Sequence, residues 1–132
     1  SVVSHYFLIV GGVIFCLLGL LHAIYTLGDI ARPRRLAPSD PELVARMQST
    51  GLRLSRDRTN MWDAWLGFNL SHSLGAILFG VVCITVSARS SIIYLAAISV
   101  IYLVLAIRFW FNVPAIAIAI ATACLLVAWT TW

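Results

Sequence analysis

The sequence predicts an all-α fold: an integral membrane four-helix bundle with a short amphipathic helix in its first loop. Three observations predict it. Of 132 residues, 61% are hydrophobic and only 11% are charged, whereas a soluble domain carries about a quarter charged residues. Four segments, about 6–27, 62–86, 91–111 and 113–131, are apolar over the roughly 20 residues that a bilayer-spanning helix needs. The one substantial polar stretch, about 28–60, lies between the first two of them. The mean hydropathy is +0.97, and the chain reads as a single transmembrane domain over 1–132.

The first span is too long for the apolar region of a signal peptide and lacks a basic start. It ends in GLLHAIYTLGD, a poor cleavage site, so it reads as a transmembrane helix. In the polar stretch, SDPELVARMQSTG predicts a short helix. Ser39 or Asp40 caps it, Pro41 or Glu42 occupies its first turn, and Gly51 follows its end. Leu43, Val44 and Met47 share one face, with Arg46 and Gln48 off it. Such a helix suits the headgroup layer; a solvated connecting helix is the alternative. The second and third spans are separated by SARSS, and the third and fourth meet at FNVP. There Asn112 can cap, and Pro114 sits in a first turn that tolerates it. Short connections make neighbours antiparallel. The alternating AIAIAIA of the last span is helical, because backbone groups in lipid must be satisfied within the segment.

The chain has no lysine. Its nine cations are arginines, and seven of them (Arg32, Arg34, Arg35, Arg46, Arg53, Arg56 and Arg58) fall in the first loop. The net charge of +4 is therefore local and points to membrane lipids as partners, with no nucleic acid. Arg34, Arg35, Arg46, Arg53, Arg56 and Arg58 are the candidates for lipid headgroup contact. By the positive-inside rule the basic loop is cytoplasmic and both termini are outside. Cys16, Cys83 and Cys124 each fall in a different apolar run and form no CxxC pair, so they read as small buried hydrophobes.

One stretch breaks the apolar pattern. In LGFNLSHSLG the second span carries Asn69, Ser71, His72 and Ser73. At 100° per residue, Trp62, Trp65, Asn69, His72, Ser73, Ala76 and Gly80 form one stripe. Gly67, Ser71 and Gly75 form a second, a small-xxx-small ridge that would match Ala115, Ala119 and Ala123. The first span answers with a stripe of its own: Gly11, Phe15, Leu18, His22, Tyr25, Thr26 and Asp29. Helix order brings His22, Tyr25, Asp29, Asp63, Asn69 and Arg108 towards one membrane side, and with Trp65 and His72 they make eight candidate site residues. Two readings compete. Arg108 pairs with Asp63 or Asp29 while the other groups act as interhelical glue, at about 0.6 kcal/mol per bond. Otherwise the same eight residues line a ligand pocket that takes a lipid-like or hydrophobic small molecule.

Two histidines on neighbouring spans raise haem or metal ligation at His22 and His72. Counted from the basic side they differ by about 7–8 Å in depth, which disfavours one shared haem iron; a metal site would add a carboxylate. Four short helices without broken segments or repeats argue against a transporter. No HExxH, P-loop, nucleophile elbow or dinucleotide fingerprint is present.

The segments LLHAIYTLGD and WDAWLGFNLSHSLGAILFG resemble an uncharacterised family of small bacterial four-span membrane proteins. The likeness sits in His22, Tyr25, Trp65, Gly67, Asn69, Ser71, His72, Ser73, Leu74 and Gly75. It implies a bacterial inner (cytoplasmic) membrane protein and carries no catalytic residues. The layout, a long first loop with acids and a histidine near one face, also resembles the emopamil-binding and sigma-2-receptor group, which includes a sterol isomerase.

Three functions fit the sequence. The first is ligand binding in an intramembrane polar pocket. The second is an accessory or assembly role in a larger respiratory or photosynthetic complex, with other transmembrane subunits or a homo-oligomer as partners. The third is a membrane-embedded enzyme with His72 or Asp63 as general acid or base.

Overall fold

A computed structural model describes residues 1–55 and 57–132; Arg56, among the candidate headgroup contacts, lies outside the described residues. Among these the fold is all-α. Four long apolar helices, α1 (Val2–Ala31), α3 (Met61–Thr85), α4 (Arg89–Phe109) and α5 (Asn112–Thr131), are joined by a short α2 (Pro41–Ser49). Each long helix has the length and hydropathy to cross a membrane, so the chain is a multi-pass membrane protein. Pro33 stops α1, since the residue before a proline leaves the helical region. Asp40 caps α2, its carboxylate accepting from the Glu42 N–H at 2.9 Å, with Pro41 at the first helical position. Asn60 caps α3: its Oδ1 accepts from the Asp63 N–H at 2.8 Å, and its amide donates to the Asp63 carboxylate at 3.2 Å. At α5, Asn112 is already the first helical residue and Phe111 precedes it, without the side-chain cap expected of Asn112.

The chain forms two compact units. The first comprises Ser1–Leu18 and Ala76–Trp132, and its core draws on α1, α3, α4 and α5: Leu8, Phe15, Phe79, Ile92, Leu95 and Leu125, with alanines filling the close approaches. Phe15 and Phe79 meet edge to face, centroids 4.6 Å apart. A Cβ on Gly80 would lie 2.5 Å from the Gly12 carbonyl oxygen, and one on Gly12 would lie 2.6 Å from that of Gly80. The α1–α3 contact in this unit is therefore backbone on backbone. Cys83 is fully buried and Cys16 donates its thiol to the Ile77 carbonyl at 3.6 Å, in keeping with their reading as small core residues. Ser99 and Thr122 join α4 to α5 through a buried hydroxyl pair at 2.6 Å. Arg89 clamps the far end of that helix pair, its guanidinium 4.7 Å over the Trp129 ring and bonded to the Trp129 carbonyl.

The second unit, Gly19–Gly75, holds the end of α1, the loop with α2 and the start of α3. Its small core is Val44, Trp62 and Leu66, with Ala37 and Met47 against them. Val44 and Met47 on the apolar face of α2 thus pack on the chain itself. Val44 takes the dry surface that Trp62 and Leu66 offer, while Leu43 on the same helix stays exposed. An antiparallel bridge between Gly51 and Asn60 closes the loop before α3 begins.

Candidate intramembrane site

The site is built in the second unit on two helical stripes. On α3, Asn69 is 5% exposed, and its amide nitrogen donates to the Trp65 carbonyl one turn back at 2.8 Å. That bond fixes the amide, so Oδ1 points to α1, where it meets His22 Nε2 at 2.7 Å. An amide oxygen only accepts. Nε2 of His22 therefore carries the hydrogen in this arrangement, an assignment that rests on the hydrogen-bond network. Ser73 returns its hydroxyl to the Asn69 carbonyl, and Thr26 returns its own to that of His22, both at 2.8 Å. The second bonds are local, so they satisfy the hydroxyls without adding anything polar to the surface.

His72 completes the cluster. Its ring meets that of His22 edge-on, centroids 5.2 Å apart at 67°, and its side chain is exposed. The 7–8 Å depth difference expected between the two histidines is absent, for two reasons. First, α1 continues to Ala31, which sets His22 deeper than a helix ending at Leu27 would. Second, side chains lean towards the N-terminus of their own helix, so on antiparallel helices they lean towards each other. No third His, Cys, Asp or Glu joins the pair into a metal-holding group among the described residues.

The other expected site residues are placed elsewhere. Asp29 is 1% exposed; its carboxylate accepts the backbone N–H groups of Arg34 (3.1 Å), Arg35 (2.9 Å) and Leu36 (2.8 Å). Asp63 belongs to the α3 cap, and Arg108 lies over the adjacent Phe109 ring. Tyr25 lies under the Arg35 guanidinium at 5.3 Å, and Trp65 donates its indole N–H to the Leu36 carbonyl at 3.2 Å. Both therefore help to seat the segment after α1. Arg46 lies 3.8 Å from Asp40 and 3.9 Å from Glu42, whereas Arg34, Arg53 and Arg58 are exposed.

The small-residue ridge on α3 is also corrected. A Cβ on Gly67 would meet nothing within 4 Å, Ser71 is exposed with its hydroxyl on the Gly67 carbonyl, and Ala119 and Ala123 are exposed. Leu36 and the backbone around it, which gather Asp29 and Trp65, carried no sequence signal beyond the proline and arginines beside them. No family model, curated protein or solved structure matches the chain.

Proposed function

We propose that this membrane protein binds a hydrophobic, lipid-like ligand, whose polar group rests on the His22–Asn69–His72 cluster. The observation that carries the reading is His72: an imidazole exposed midway along an apolar span, beside a second imidazole held by a buried amide. Ionisable groups within a span are rare and mark functional sites by default, and the polar head of a ligand can share this surface of the cluster. The exposed arginines of the first loop contact lipid headgroups. The protein sits in a bacterial inner membrane, with that loop in the cytoplasm and the termini outside. Mass spectrometry of lipids released from gently purified protein tests the reading. The wild type retains a specific hydrophobic molecule, and His72→Leu loses it. Identical lipid profiles for the two would sink the proposal.

A second reading is an accessory subunit, favoured by the open face at Gly67 and Ser71, where another transmembrane helix can approach closely. A native gel of mildly solubilised membranes decides: this reading requires a co-migrating chain that Gly67→Leu displaces.

A further inference from the structure

We infer that the turn at Leu54 dips into the surface of an anionic membrane, its leucine entering the acyl boundary while Arg53 and Arg58 pair with lipid phosphates. This rests on the reading above that the first-loop arginines contact headgroups. It adds which apolar group enters the membrane and which lipid charge draws it in. A single exposed leucine is ordinary on a protein surface. Leu54 is not placed ordinarily. The Ser55 N–H donates to the Leu52 carbonyl at 3.2 Å, so Arg53 and Leu54 are the two corner residues of a turn. Corners favour Gly, Pro, Asn, Asp and Ser. Here a leucine occupies one and is fully exposed. A second hydrogen bond, from the Arg58 N–H to the Ser55 carbonyl at 3.1 Å, follows directly and holds the segment in shape. Every other large apolar side chain more than half exposed lies, among the described residues, on a long helix or in the link between α4 and α5. Those side chains face lipid, and Leu54 has the same need of an apolar surrounding.

Charge and reach point to the same surface. Residues 53–58 hold three arginines against one aspartate. Arg53 and Arg58 are exposed, and among the described residues neither forms a salt bridge. An apolar tip between free cations is the pattern of an interfacial anchor, with the side chain in the headgroup–acyl boundary and the cations on anionic lipid. The loop is also tied to the bilayer. Gly51 bridges to Asn60, and the Met61 N–H donates to the Thr50 carbonyl at 2.8 Å, so its base sits at the first residue of the spanning helix α3. Leu54 is three residues from that base, a reach of about 10–11 Å. The polar layer on each side of the hydrocarbon is about 5–8 Å thick, so the tip can cross it.

The full chain carrying Leu54→Cys with a nitroxide label, in lipid nanodiscs, tests the inference. The three native thiols lie within the apolar helices. Collisions of the label with a water-soluble nickel chelate are expected to be several-fold rarer in discs containing phosphatidylglycerol than in phosphatidylcholine alone. Adding Arg53→Gln and Arg58→Gln should erase that difference. A label equally open to the chelate in both discs overturns the insertion, and so does protection that ignores lipid charge. A label open in the discs but immobilised in native membranes also overturns it, in favour of a protein partner. Phosphatidylglycerol retained by the purified chain, counted by native mass spectrometry, separates the two readings. If retention falls in Arg53→Gln with Arg58→Gln while position 54 stays in water, insertion fails and headgroup contact stands. If neither retention nor protection depends on the arginines, both fail.

Discussion

Asp29 shows how far a single side chain can organise this protein. Its carboxylate is fully enclosed and accepts three consecutive main-chain N–H groups, so it folds the chain back directly after α1. Breaking those bonds frees the backbone at Arg34 and Arg35. Asp29→Ala is expected to speed tryptic cleavage after Arg34 and Arg35 by about tenfold or more, given about 1–3 kcal/mol for each group left unsatisfied in a buried place. Asp29→Asn, which keeps one accepting oxygen, should fall between the two. Unchanged cleavage would mean that the segment is held by other contacts. At Asn69 the prediction concerns stability. Leucine at this position fills similar space but leaves the His22 N–H without its acceptor, a loss of about 1–2 kcal/mol. Reversible unfolding of the reconstituted chain in mixed micelles measures it, and a stable Asn69→Leu would remove the bond from the account of this fold.

At the scale of the element, the two glycine-bearing stretches of α3 behave oppositely. A methyl group at Gly80 would collide with the Gly12 carbonyl and the Cys16 sulfur, so Gly80→Ala is expected to destabilise by about 1–3 kcal/mol. Gly67→Ala meets open space and should be neutral or stabilising by up to about 1 kcal/mol. Unfolding of the two variants side by side checks the contrast, which equal effects would erase. The sequence marked all four spans because apolar length is a property of composition, and it marked α2 because Asp40, Pro41 and Glu42 are local signals. Asn69, His22 and their shared face followed from helical phasing. What phasing could not supply was the partner of each face. Gly67–Ser71–Gly75 and Gly80 obey the same small-residue rule, yet Gly80 is packed and Gly67 is not. Nor could it foresee that Val44 would find Trp62, or that Asp29 would gather the backbone N–H groups of Arg34, Arg35 and Leu36. Those choices depend on distances across the chain, which periodicity does not encode.

At the scale of the molecule, charge is distributed with one strong asymmetry: seven of nine arginines lie in one loop. The positive-inside rule turns that into a topology. A cysteine introduced at Ser39 should react with an impermeant maleimide only in inverted vesicles, and one at Ser87 only in intact cells. The reverse pattern would invert the proposed orientation and place the arginines against the outer leaflet. The native cysteines do not interfere, since Cys83 and Cys124 are buried and Cys16 is half-buried in an apolar helix.

The contact between Gly12 and Gly80 bears on how the chain is made. It joins the first half of α1 to the last third of α3, and all of α1 is synthesised before Gly80. Until then the notch at Gly12 has nothing of its own to close it. Nascent α1 is therefore a solitary helix with an open groove, and its partner arrives only after the whole basic loop has been made.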